Sequence, residues 1–232
     1  MVNLTERNID ILRIIVEEYL ETGDVLGSKS LLKKYDLGVS PATVRNDMAI
    51  LEKLELVYQP YNSAGRLPTT KGLRAFISYL MQVTPNHFLE EKISDKKTDN
   101  IKNLNDFIYK IIFELAKNTN EISFFIVEED SILEYSGIAN FLKKNYKRMG
   151  EEKFNVIKML EDKENFTRFI KQVPISPGVN VFIGEENVTP YLKDYTVILK
   201  PVIINGRVGY IGIIGGLMMN YSFNISAVRG II

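Results

Sequence analysis

The chain has 232 residues, with 29 Lys+Arg balanced by 29 Asp+Glu, 45% apolar and 10% aromatic residues, a composition suited to one large globular domain or two small ones. With no Cys and a single His, His87, disulfides and cysteine-based zinc sites are excluded, and a hydrolytic triad or metal centre would have to rest on His87 or on carboxylates alone. No signal-like segment opens the chain, and its longest nearly uncharged apolar stretch, Val208 to Met219, is about a dozen residues against the ~20 a bilayer crossing needs, so a cytoplasmic protein without a membrane span is expected.

Thr5 can cap a helix in which Ile9, Leu12, Val16 and Tyr19 recur at helical spacing, with Ile15 and Leu20 widening the stripe until Gly23 stops it. Ser28 offers a second cap ahead of a short helix through Leu31, Leu32 and Tyr35 that Gly38 ends. Ser40 followed by Pro41 starts a third, because the hydroxyl satisfies a free backbone donor and proline has no amide hydrogen to lose at the first helical position. This helix is expected to run to about Leu54. Leu56 to Pro60, the turn-formers Asn62 to Gly65, and Arg66 to Pro68 then read as a two-stranded hairpin. Three helices with a short turn between the second and third, followed by a hairpin, is the layout of a winged helix-turn-helix, expected over residues 1–70.

Lys71 to Gln82 reads as a linking helix with Phe76, Ile77 and Leu80 on one side, and Glu90 to Asn100 as a polar linker, together filling residues 71–100. In residues 101–232, Leu104, Phe107, Ile108, Ile111, Ile112 and Leu115 predict an amphipathic helix, and Ile122 to Val127 and Ile132 to Tyr135 predict strands. Phe154, Ile157 and Leu160, then Phe166, Phe169 and Ile170, predict helical stretches up to Pro174. Val179 to Ile183 predicts another strand. Tyr195 to Ile204 and Val208 to Ile214 flank Asn205-Gly206, a pair suited to a type I′ hairpin turn. The expected class is α+β, a sandwich on a mostly antiparallel sheet.

Chemistry can sit on the third helix. If Val44, Met48 and Leu51 face the core, steps of about 100° place Ala42, Asn46, Ala49 and Lys53 opposite, flanked by Thr43 and Arg45. Such a small, polar face suits the major groove, since small side chains let the backbone approach while Arg and Asn reach base edges. Charge is segregated beneath the overall neutrality. Met1 to Leu26 holds six acids and two bases, Gly27 to Ile50 two acids and four bases, and Pro60 to Leu80 three bases, Arg66, Lys71 and Arg74, with no acid. Asp47 would repel a phosphate, so it is expected to orient Arg45 or to cap a neighbouring element.

The stretches L-T-E-R-N-I-D-I-L (Leu4 to Leu12), G-S-K-S-L (Gly27 to Leu31), S-P-A-T-V-R-N-D-M (Ser40 to Met48) and S-A-G-R-L-P-T-T-K-G (Ser63 to Gly72) resemble the HrcA family of heat-inducible transcription repressors. F-I-G-E-E-N (Phe182 to Asn187), G-Y-I-G-I-I-G (Gly209 to Gly215) and M-N-Y (Met219 to Tyr221) are similar to that family's C-terminal signature. The resemblance implies a repressor whose homodimer binds an inverted-repeat double-stranded operator, the CIRCE element, and whose activity depends on the GroEL chaperonin. It implies a GAF-like second domain and a cytoplasmic, nucleoid-associated protein. It also implies DNA contacts from Ser40, Pro41, Thr43, Arg45 and Asn46, from Ser28 and Lys29 on the second helix, and from Ser63, Arg66 and Lys71 in and after the wing, with Arg66 entering the minor groove or pairing a phosphate. Two departures stand out. Family members usually carry a longer second domain with an inserted dimerisation segment, for which Tyr135 to Pro174 is short, and Gly216 and Met218 stand where proline and arginine are common.

The alternative is a ligand-responsive regulator with an effector site in the second domain. An enzyme built on Glu128, Glu129 and Asp130 is a weaker alternative, and no catalytic, metal or cofactor site is expected. Gly209, Gly212 and Gly215 lack G-x-G-x-x-G spacing, so close strand packing accounts for them better than dinucleotide binding.

Overall fold

In a computed structural model, the structure describes residues 4–83, 104–127, 132–144, 151–204 and 206–231. His87, the expected linker Glu90 to Asn100, the acids Glu128 to Asp130 and the turn residue Asn205 lie outside the described residues. The chain divides into two compact units, residues 1–83 and 84–232.

The first unit begins with α1 (Glu6–Thr22). Thr5 and Asn8 cap it reciprocally, each side chain accepting from the other's backbone amide, and Gly23 closes it in the left-handed region at φ 77°. Its core-facing stripe is centred on Ile11, Leu12, Ile14, Ile15 and Val16. The second helix, α2 (Ser28–Lys34), departs from expectation at both ends. Gly27 is its cap and Ser28 its first residue, while Tyr35 is already extended, so the helix stops well before Gly38. α3 (Pro41–Lys53) starts as read, with Ser40 Oγ accepting from the Thr43 amide at 3.2 Å. The hairpin is short, β1 (Val57–Tyr58) against β2 (Leu67–Pro68), and an isolated bridge between Leu26 and Arg66 extends it onto the α1–α2 connection.

α4 (Thr70–Val83), in the stretch read as a linking helix, buries Leu73, Phe76, Ile77 and Leu80 and packs on α1 within the first unit.

In the second unit, one antiparallel sheet runs in the order β4-β3-β7-β6-β5, with β3 (Ile122–Val127), β4 (Ile132–Ser136), β5 (Asn180–Ile183), β6 (Tyr195–Ile204) and β7 (Arg207–Gly216). Both faces are covered, which explains why β3 is buried at every position and apolar at all but Ser123. On one face Phe124, Val197 and Ile214 join Phe141 of α6 (Ile138–Lys144), Val156, Met159 and Leu160 of α7 (Glu151–Glu161), and Phe166, Phe169 and Ile170 of α8 (Lys163–Gln172). The other face takes α5 (Leu104–Thr119) and α9 (Tyr221–Arg229). Ser123 donates to the Ile112 carbonyl at 2.5 Å, and Thr196 pairs with the Tyr221 hydroxyl at 2.8 Å. The α7 phase differs from that read from the sequence. Phe154 is 64% exposed, and Val156 and Met159 point inward in its place.

The β6–β7 hairpin pairs as expected, Ile204 opposite Arg207. Gly212 faces Ile198 so closely that an added Cβ would lie 2.2 Å from its carbonyl oxygen, which accounts for the glycine by packing.

Candidate nucleic-acid interface

The outward face of α3 is what the periodicity predicts. Val44, Met48 and Leu51 are buried, while Pro41, Ala42, Arg45 and Asn46 are exposed and Thr43 is half-buried, its hydroxyl 3.0 Å from that of Ser40. No ion pair engages Arg45 or Lys29 among the described residues, and both side chains are open to solvent.

Of the two roles expected for Asp47, orienting Arg45 is not seen, and the carboxylate serves the neighbouring helix α1. It is buried and turned toward α1, accepting from Arg7 Nε at 2.7 Å and from Asn8 Nδ2 at 3.0 Å, and Arg45 takes no part. This hydrogen bond and the charge attraction behind it raise the Arg7 guanidinium above its ordinary value. The one acid in the middle of α3 is thereby withdrawn from the outward face. Sequence reading missed Arg7, because its partner lies 40 positions away, beyond any local spacing rule.

Arg66, in the hairpin, is turned onto α3. Its side chain is 12% exposed and its Nη2 donates to Glu52 of α3 at 2.7 Å, so it fastens the hairpin to the helix and is not at the hairpin's tip. The tip is formed by Tyr61, Asn62 and Ser63, with Ser63 in the left-handed region at φ 68° and the Ala64 amide donating to the Tyr61 carbonyl. Tyr61 is 66% exposed. Lys71 lies at the start of α4, exposed and 3.1 Å from Glu55. Ser28 is 7% exposed, which leaves its hydroxyl little access to a phosphate. Lys34 is engaged by Glu18 at 2.5 Å, a hydrogen bond that raises its pKa.

The S-A-G-R-L-P-T-T-K-G motif has a packing explanation. A Cβ on Gly65 would lie 2.3 Å from the Leu26 carbonyl carbon, and one on Gly72 would lie 1.9 Å from the Leu56 oxygen. Both glycines mark backbones in contact: the hairpin against the α1–α2 connection, and α4 against the α3–β1 connection. Thr69 adds a hydroxyl that donates to the Glu55 carbonyl at 2.6 Å and accepts from the Gly72 amide at 3.0 Å.

The C-terminal motifs resolve into structure as well. Asn187 reaches the carbonyls of Gly184, Leu192 and Tyr195, each at 2.9 Å, and Glu186 accepts from the Ile183 amide. Asn220 caps α9 through the Phe223 amide. A surface depression of about 570 Å³ is bordered by Lys158, Glu161, Asp162, Lys163, Glu164, Asn165 and Tyr191, a mostly charged and solvent-facing lining at the α7–α8 junction. Among the described residues no cluster of His, Asp and Glu is suited to a metal, and no helix is long and apolar enough to cross a membrane.

Residues 69–225 match the family model described as the HrcA protein C terminal domain. The heat-inducible transcription repressor HrcA of Streptomyces avermitilis is 41% identical over 120 residues, 52% of this chain and 36% of that protein. The same-named protein of Alkaliphilus metalliredigens is 48% identical over 87 residues, 38% of this chain and 25% of that protein. The chain thus spans about a third of the length of the curated relatives it matches. A crystal structure described only as a hypothetical protein shares the fold, with a TM-score of 0.73 over 98% of this chain and 96% of that one at 18% identity.

Proposed function

The chain belongs to the HrcA family, and on that premise we propose that it is a sequence-specific DNA-binding repressor of heat-shock genes. In this reading the first unit is a winged helix-turn-helix, α3 is its recognition helix and the β1–β2 hairpin its wing, while the second unit is GAF-like. The observation that carries it is the outward face of α3, where Arg45 and Asn46 are exposed, small side chains surround them, and the acid Asp47 is turned inward onto Arg7. Arg45 and Asn46 read base edges. Ser40, Pro41, Thr43 and Lys29 approach the backbone beside them. Ser63 at the wing tip and Lys71 behind it extend the contact, and Arg66 acts through Glu52 by holding the wing in place.

The operator is an inverted repeat of the CIRCE type, which requires a two-fold protein with paired recognition helices, so the active species is a homodimer working on the nucleoid in the cytoplasm. GroEL sustains its activity, so that unfolded clients occupying the chaperonin relieve repression. A ligand-responsive regulator is the second reading. No observation favours it, since the sheet faces are filled by side chains such as Phe124, Phe166 and Ile213, and the depression at the α7–α8 junction is a charged surface feature.

The test is fluorescence anisotropy of a labelled CIRCE repeat against a scrambled duplex over a salt series, with and without GroEL. Tight, saturable preference for the repeat at two protomers per duplex is the expected result. Equal weak binding to both duplexes rejects the reading.

A further inference from the structure

We propose that the hairpin tip meets DNA through an aromatic ring in place of a cation, with Tyr61 laid against the sugars that wall the minor groove; the proposal rests on the repressor reading above. Six consecutive residues at the tip, Pro60 to Gly65, carry no charge. The next, Arg66, is folded back onto Glu52 of α3, so the tip has no guanidinium to place in a groove or against a phosphate. What it does offer is Tyr61, 66% exposed and the only aromatic among those six. The backbone that carries the ring is already fixed. The Ala64 amide donates to the Tyr61 carbonyl at 3.0 Å, Gln59 Nε2 donates to the Ala64 carbonyl at 3.0 Å, and Ser63 turns the chain through the left-handed region at φ 68°. A tyrosine has only two side-chain torsions to order, so a contact made from so constrained a turn loses little entropy on binding.

The chemistry of the ring selects the surface it meets. A phosphate offers a phenol one hydrogen bond, whereas the deoxyribose edges of the minor groove offer apolar C–H surface to the whole ring. The neighbouring chain does not oppose the approach, since Pro60 to Leu80 holds Arg66, Lys71 and Arg74 and no acid to repel the flanking phosphates. The ion pair from Arg66 to Glu52 ties the strand behind the tip to α3, so ring and helix reach the duplex as one body. A contact of this kind displaces no counterions. It therefore adds affinity without steepening the salt dependence, unlike a contact from Lys29 or Lys71.

The test uses the full chain on the CIRCE repeat, by anisotropy over a salt series and by hydroxyl-radical footprinting, which reads the exposure of minor-groove sugars. Tyr61→Ala should weaken operator binding about tenfold with the salt slope unchanged, and Tyr61→Phe should stay within about twofold of wild type. Tyr61→Ala should also lose protection of a set of minor-groove sugars that wild type covers, while major-groove guanines stay protected from methylation. Tyr61→Lys should steepen the salt slope by about two in a dimer, one phosphate for each wing. Unchanged affinity and unchanged sugar protection in Tyr61→Ala would overturn the wing contact and leave the repressor reading intact. A loss in Tyr61→Phe as large as that in Tyr61→Ala would overturn the ring contact in favour of a hydrogen bond from the phenol to a phosphate. A wild-type chain without preference for the repeat over a scrambled duplex would overturn both the proposal and the reading beneath it.

Discussion

Asp47 Oδ2 and Arg7 Nε lie 2.7 Å apart across the α1–α3 contact, and this pair decides what α3 presents outward. The carboxylate is almost fully buried while the guanidinium remains partly in solvent. Asp47→Ala leaves Asn8 Nδ2 and Arg7 without an acceptor in a packed helix–helix contact, a loss of about 1–3 kcal/mol in denaturant unfolding. Asp47→Asn retains the amide's acceptor oxygen and should cost less.

On the proposed bidentate base contact, Arg45→Ala should weaken operator binding by about 1–3 kcal/mol and leave scrambled-duplex binding nearly unchanged. Lys29→Ala should weaken both duplexes alike and reduce the salt slope by about two in a dimer, one for each lost phosphate contact. Parallel anisotropy titrations separate the two. Equal losses on both duplexes for Arg45→Ala would reject base readout.

Arg66→Ala and Glu52→Ala should each lower stability, and the double variant should lose less than the sum of the two, because either change alone strands a partner in the α3–hairpin contact. The largely buried Arg66 is the more damaging of the two to remove. Thermal unfolding of the four members of this cycle measures the coupling.

Gly65→Ala should destabilise the first unit by about 3 kcal/mol or more, because the new methyl would overlap the Leu26 backbone and force the hairpin off the α1–α2 connection. Gly216→Ala, where nothing lies within 4 Å of the added atom, should fall within about 0.5 kcal/mol of wild type by chemical denaturation.

Lys200 of β6 donates to the Arg229 and Ile231 carbonyls, and burial pushes its amine below the ordinary lysine value of 10.5. The unfolded chain therefore holds this proton at a pH where the folded chain has released it, so stability gains from this site as pH rises through the lowered value toward 10.5. The difference in unfolding midpoint between wild type and Lys200→Met should shift in favour of wild type over that window. A constant difference would reject the assignment.

Much of this molecule could be read from local chemistry. Caps and periodicity located α1, α3 and the β6–β7 hairpin, and the 3.6-residue repeat placed Arg45 and Asn46 outward and Val44 and Met48 inward. The misses share a cause: contacts between residues distant in sequence. Nothing in the sequence announces that Arg66 of the hairpin pairs with Glu52, or that Asp47, expected to orient Arg45 or to cap a neighbouring element, is reached from α1 by Arg7 and Asn8. In α7 the helical spacing of Phe154, Ile157 and Leu160 picked out one buried residue, Leu160, but Phe154 is exposed, and Val156 and Met159 join Leu160 against the sheet. Ser28 behaved similarly, since either it or Gly27 could begin α2 and nothing local decides between them.

The docking of α4 onto α1 bears on how the chain can be dissected. The family model starts at residue 69, and a cut made there would strip Leu73, Phe76, Ile77 and Leu80 from the first unit, uncovering an apolar seam prone to aggregate and removing the support beneath β2. A fragment intended to carry the first unit alone should therefore extend through Val83.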